Sequence, residues 1–116
     1  MRIELKGASR IVFVFDNCVV KIPNIRRWKL FLCGLLANMQ ETKFGTSELE
    51  GFCPVLFGFP GGWFVVARRA IEMTKEEFAN FDPHSFCERG EYGIPAEHKA
   101  SSFGYLDGEV VAIDYG

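Results

Sequence analysis

Leu106-Asp107-Gly108-Glu109-Val110-Val111-Ala112 runs directly into Ile113-Asp114-Tyr115-Gly116. Asp107-Gly108 is a two-residue hairpin signal, since both residue types accept the backbone such turns need. Its flanks, Ser102 to Tyr105 and Glu109 to Ile113, predict a closing hairpin. The second strand of that hairpin delivers an apolar run onto an aspartate, an aromatic residue and a glycine. Taken alone, Asp114 is a strand-end aspartate; the order of the segments before it gives it a context.

Two further hairpins precede it. Ile11-Val12-Phe13-Val14-Phe15 and Cys18-Val19-Val20-Lys21-Ile22 read as strands about Asp16-Asn17. Pro23 ends the second, because it has no N–H for a ladder. Cys53 to Phe59 and Trp63 to Arg69 read as strands about Pro60-Gly61-Gly62. Between these pairs, Asn24 is a candidate helix cap. Trp28, Phe31, Leu32, Leu35, Leu36 and Met39 then recur at helical spacing over about three turns. With Arg26, Arg27 and Lys29 at its edge, this stripe fits a membrane-surface helix. The flanking strands need cover, however, so the stripe is expected to face the core. Gln40 to Glu50 continues that helix or starts another, and Gly45 weakens a single long one. Thr74 and Glu77 form a capping box for a short helix through about Phe81. Asp82 to Ala100 holds Pro83, Gly90, Gly93 and Pro95 and predicts a loop-rich, mobile segment. The order hairpin, helix, hairpin, short helix, loop, hairpin predicts an α+β fold with a mostly antiparallel sheet.

The totals narrow the class. A chain of 116 residues, 48% apolar and with 12 phenylalanines, suits one packed domain. A net charge of −2 gives no global attraction to nucleic acid or to acidic membranes. Cys18, Cys33, Cys53 and Cys87 make no C-x-x-C pair, which argues against structural zinc. Met1-Arg2-Ile3-Glu4 shows no apolar leader. Reduced, mostly buried thiols in a cytoplasmic protein are expected. The apolar runs fall short of the roughly 20 residues of a membrane span, so no membrane association is expected.

Taken in order, these segments resemble a truncated protein-kinase-like fold. Val19-Val20-Lys21-Ile22 is similar to the strand whose lysine contacts nucleotide phosphates. Glu41, 20 residues on, lies where the helix glutamate that pairs with that lysine would fall. Glu48 and Glu50 are rivals, and a solvated strand-end lysine is the plain alternative. Gly7-Ala8-Ser9-Arg10 lies where a phosphate-covering loop would be, although its single glycine departs from G-x-G-x-x-G. Glu97-His98-Lys99-Ala100-Ser101-Ser102 falls at the catalytic loop, D-x-K-x-x-N. There Glu97 replaces the aspartate, Lys99 matches the lysine and Ser102 replaces the metal-binding asparagine. Asp114-Tyr115-Gly116 resembles the Asp-Phe-Gly segment whose aspartate holds magnesium. Trp63 to Arg69 would lead into the hinge that borders an adenine pocket. His98 reads as an ordinary loop histidine, and His84 has no matching partner.

The resemblance covers nearly all of residues 1–116, as one kinase-like domain without most of the helical lobe. It is similar to small phage-encoded kinase-like proteins. It implies ATP and Mg2+ as candidate cofactors, with Lys21, Glu41, Gly7 and Ser9 at the nucleotide and Asp114 and Ser102 at the metal. The candidate catalytic residues, Glu97 and Lys99, belong to degenerate machinery. Glutamate displaces its carboxylate by a methylene, and serine is a weaker magnesium ligand. The resulting expectation is a non-enzymatic, pseudokinase-like binding protein acting on a larger protein, either a host enzyme or a defence complex. The alternative is an Mg-ATP-binding, weakly active phosphotransferase. Candidate docking faces are Arg26, Arg27, Arg68 and Arg69, or the acidic loop of Glu88 and Glu91. An exposed core face would also favour a dimer. Nucleic-acid binding through Arg26, Arg27, Trp28 and Lys29 is disfavoured by the negative total and by the expected burial of Trp28.

Overall fold

Antiparallel pairing organises the chain. In the structure, a computed structural model describing residues 2–6, 9–47, 49–88 and 93–116, five strands form the larger sheet. They are β1 (Arg2–Lys6), β2 (Arg10–Val14), β3 (Cys18–Pro23), β4 (Val55–Gly58) and β5 (Val65–Arg68), in the spatial order β1-β2-β3-β5-β4. A smaller sheet joins β6 (Ile71–Glu72), β7 (Phe103–Leu106) and β8 (Glu109–Ala112). The helices are α1 (Trp28–Gly45), α2 (Lys75–Ala79) and α3 (Pro83–Cys87). The class is α+β with a mostly antiparallel sheet, as the order of segments implies.

Local chemistry sets the connections. Asp107 and Gly108 both take positive φ, 53° and 83°, as a tight β7–β8 turn requires. Thr74 accepts from the Glu77 N–H at 3.1 Å, and Glu77 accepts from the Thr74 N–H at 2.9 Å, closing the capping box of α2. Against the smaller sheet, Phe103 is fully buried among the rings of Phe78, Phe81 and Phe86. This aromatic cluster, with Met73, Ala112 and Tyr115, is the larger hydrophobic core.

Three elements exceed the expectation of three hairpins: β1, the two-residue β6 and α3. β1 adds an edge strand in register with β2, with Glu4 opposite Val12. α3 lies inside the segment expected to be all loop, where Asp82 caps it by accepting from the Ser85 N–H at 3.1 Å. Gly90, Glu91 and the neighbouring residues 89 and 92 of that segment lie outside the described residues. All four cysteines are unpaired, but only Cys53 and Cys87 are buried; Cys33 is exposed and Cys18 half-buried.

The main correction concerns α1. Its apolar stripe faces outward. Trp28 is 77% exposed, Leu36 64%, Leu32 52% and Met39 48%, whereas Phe31 and Leu35 are half-buried. The inward face consists of Gly34, Asn38, Glu41 and Gly45. These lie at steps of four, three and four residues, which is one side of a helix. The physical reason is close approach. A Cβ at Gly34 would press on the Ser9 carbonyl oxygen and lie 2.7 Å from the Pro23 Cα. The helix backbone therefore rests almost directly on the start of β2 and the end of β3. That leaves room for Asn38 and Glu41 to reach polar partners beneath. Leucine or tryptophan on this face would hold the helix off the sheet.

Candidate functional site

The site begins with alternation along β2 and β3. Burying Val12 and Val14 also buries Arg10, which lies on the same face of the strand at 2% exposure. Lys21 is paired in register with Val12 and is also buried. Two cations facing one interior need anions, because an unpaired buried charge is very costly. Glu41, 1% exposed, enters from the inward face of α1. Lys21 Nζ donates to both of its carboxylate oxygens, at 3.0 and 2.9 Å, and to the Ile113 carbonyl at 2.7 Å. All three ammonium hydrogens are thereby used.

Arg10 completes the cluster. Its Nη2 lies 2.9 Å from Glu41 Oε1 and 2.5 Å from Asp114 Oδ1. Its Nη1 donates to Asn38 Oδ1 at 3.3 Å. Asn38 in turn donates to the carbonyls of Lys21, at 3.2 Å, and Gly62, at 2.9 Å. The residue after Asp114 is fixed as well. The Tyr115 N–H donates to Glu41 at 3.3 Å, its hydroxyl donates to the Cys53 carbonyl at 2.6 Å, and its carbonyl accepts from Gln40 at 2.7 Å. Two cations and two carboxylates thus neutralise one another, and they tie β2, β3, α1 and the segment after β8 together.

The electrostatics follow from this packing. Burial acts to raise the Glu41 pKa, but Lys21 and Arg10 override it and hold the carboxyl below its ordinary range. Burial likewise acts to lower the Arg10 pKa, and Glu41 and Asp114 override that, keeping the guanidinium charged. Burial pushes the Cys53 thiol up to about 11, so it is a poor nucleophile at neutral pH. Burial also raises the Tyr115 phenol.

A pH prediction follows. Because Glu41 has a lower pKa folded than unfolded, its stabilisation is complete above the unfolded value near 4.5 and drains as pH falls through the folded value. Urea midpoints measured at descending pH should fall below about pH 4.5 in the parent. They should depend less on pH in Glu41→Gln, from a lower starting stability. An equally steep acid loss in Glu41→Gln would assign the effect to other carboxylates.

Lys21 and Glu41 lie at the floor of a cleft of about 270 Å3 between the two sheets. Val12, Val19 and Ala67 give it an apolar wall, and the Arg68–Glu72 stretch linking β5 to β6 borders it. Arg2 and Glu4 of β1, paired at 3.0 Å, line its mouth.

The remaining candidates scatter. Gly7 and Glu48 lie outside the described residues. Ser9 is described, and its carbonyl accepts from the Asn24 N–H at 2.8 Å. Glu50 is exposed, and Glu41 is the partner Lys21 takes. Glu97 is exposed and paired with Lys99 at 3.0 Å, and neither lines the cleft. His84 pairs with Glu88 at 3.1 Å on the surface, and its ring stands 6.4 Å from that of His98. Ser102 is fully buried, and its carbonyl accepts from the Ile113 N–H at 2.8 Å, which sets it beside Asp114 along the backbone. Its hydroxyl has no hydrogen-bond partner among the described residues.

The fit to magnesium is poor as these groups stand. Asp114 gives an oxygen to Arg10, and no group of three His, Cys, Asp or Glu side chains suited to a metal ion occurs among the described residues. A dication on Asp114 would face a guanidinium across the same carboxylate. Sequence reasoning missed Arg10, although it shares the alternating face of Val12 and Val14. Asn38 was missed too, although it shares the helix face of Glu41. Comparison of the chain with protein-family models, with curated proteins and with solved structures finds no match.

Proposed function

We propose that this chain is a non-enzymatic binding protein on a kinase-like scaffold, docking on a larger protein through the outward face of α1. The observation that carries this reading is the inverted helix. Ile25, Trp28, Leu32, Leu36 and Met39 are all about half exposed or more, on the side opposite the buried polar residues. A contiguous apolar face of this kind is the usual mark of a protein contact. Arg10 holding Asp114, and Glu97 lying in solvent, support the non-enzymatic part. The setting that follows from the resemblance is the cytoplasm of a host cell, with a host enzyme or defence complex as partner. No helix among the described residues is long and apolar enough to cross a membrane.

The test is affinity capture with the parent and with Leu36→Glu. Leu36 is 64% exposed, so the variant should unfold within about 0.5 kcal/mol of the parent. It should lose a partner that the parent retains. Equal capture by both folded proteins would move the contact away from α1.

A second reading is favoured by one observation, the Lys21–Glu41 pair on the floor of the 270 Å3 cleft. Under it the cleft takes Mg-ATP. Binding then requires Arg10 to release Asp114, and it is lost in both Lys21→Ala and Asp114→Ala.

A further inference from the structure

At the N-terminal end of α1, Ile25, Arg26, Trp28, Phe31 and Trp63 enclose a pocket of about 390 Å3. The Trp28 and Phe31 ring centroids lie 5.8 Å apart, and those of Phe31 and Trp63 lie 5.5 Å apart. Trp28 is 77% exposed and Trp63 53%. This pocket is separate from the cleft over Lys21 and shares no lining residue with it. We infer that it seats a bulky apolar side chain from an acidic segment of a partner protein, with a carboxylate of that segment on Arg26. The inference rests on the docking reading above and names the partner's chemistry.

The aromatic walls account for the apolar anchor. Tryptophan and arginine are the residues that most often dominate a binding interface, and they do so around a pocket that the partner fills. The charge accounts for the acid. From Asn24 to Ser47 the cations are Arg26, Arg27, Lys29 and Lys43, and all four are exposed. The only carboxylate in that stretch is Glu41, which is buried and already paired. This stretch therefore supplies exposed charge of one sign only beside the apolar face.

That charge also decides between occupants. A second copy docking by the same face would bring like charges together in either helix orientation. A single nucleic-acid strand would stack on Trp28 and Trp63 beside the cations. It would find nothing to stack on along Leu32, Leu36 and Met39, the aliphatic face that continues away from them. An acidic amphipathic segment satisfies both the charge and the face.

The chain has two tryptophans, and both line this pocket, so intrinsic emission reports its occupancy. A displayed library of random peptides is selected on the parent. Recovered peptides are synthesised and titrated by tryptophan emission into the parent, Trp63→Ala, Arg26→Glu/Arg27→Glu and Leu36→Glu. The expected winners carry carboxylates beside a Phe or Leu anchor, and they shift the emission to the blue. Affinity should fall about thirtyfold in Trp63→Ala and about tenfold or more in the charge reversal. Added salt should weaken binding to the parent.

Basic winners, winners without an anchor, or no enrichment would overturn the inference. So would tighter binding of oligo-dT than of any peptide, or a blue shift with rising protein concentration alone. Peptides lost in Leu36→Glu but unaffected by Trp63→Ala would remove this pocket while leaving the docking reading intact. Peptides indifferent to Leu36→Glu would count against the docking reading itself.

Discussion

Replacing Glu41 by alanine should lower the unfolding free energy by about 3–5 kcal/mol, the largest effect of any single change considered. Glu41 is 1% exposed and is the shared anion of two buried cations. Its removal leaves Lys21 with the Ile113 carbonyl and Arg10 with Asp114 and Asn38. It also frees the Tyr115 N–H and empties part of the contact between α1 and β3. Attraction in a low dielectric is strong, but so is desolvation, and the intact cluster contributes much less than this loss. The asymmetry is the point. Breaking one member strands the rest, because the side chains of Arg10, Lys21 and Glu41 are 5% exposed or less, and only Asp114, at 16%, keeps contact with water. Urea unfolding followed by circular dichroism checks it. A loss under about 1 kcal/mol would mean that water screens the cluster.

Gly34→Ala comes next and runs against ordinary helix propensity. In a solvated helix interior, exchanging glycine for alanine gains about 1 kcal/mol. Here the added methyl meets backbone, the Ser9 carbonyl and the Pro23 Cα, neither of which can rotate away. Overpacking of this kind costs about 1–3 kcal/mol and outweighs the propensity term. The difference of these terms is a net loss of up to about 2 kcal/mol in urea unfolding, with α1 displaced from β3 and Glu41 drawn back from Lys21. A stabilised Gly34→Ala would show that the helix stands further off the sheet than described.

These two changes also mark what was legible in the sequence. Turn and cap chemistry is local, so Asp107-Gly108 and the Thr74/Glu77 box appear where their residues dictate. The Lys21–Glu41 pair was expected from the resemblance, with Glu48 and Glu50 as rivals, and Glu41 is the partner Lys21 takes. Periodicity showed that α1 has two faces, but not which one is buried. The rule that apolar residues face inward chose Trp28, Leu32, Leu36 and Met39, and it failed because contact at the Gly34 position leaves no room for them. The countersignal was present: Gly34, Asn38, Glu41 and Gly45 share one face, and the two polar members match buried partners. With Trp28 exposed, its burial no longer argues against nucleic-acid binding, and that argument now rests on the aliphatic face and the net charge.

Other elements lay beyond local reading. β6 is two residues long and exists only because β7 pairs with it. Arg10 read only as the last residue of the segment expected to cover phosphates. Its role emerges when β2 is placed in register with β3, which turns Arg10 and Lys21 toward the same interior. Arg2-Ile3-Glu4-Leu5-Lys6 alternates as a strand should, yet its apolar residues Ile3 and Leu5 face out while Arg2 and Glu4 face the cleft. Like α1, β1 turns charge inward and apolar surface outward. Both elements border the site, which is where local rules are most often broken.

The most direct test of the account is calorimetric titration of ATP into the folded parent with and without Mg2+, beside Lys21→Ala and Asp114→Ala. If Arg10 keeps Asp114 out of metal chemistry, Mg2+ should add no binding heat, and Asp114→Ala should behave like the parent. Mg2+-dependent binding that disappears in both variants would contradict the account and establish a working nucleotide site.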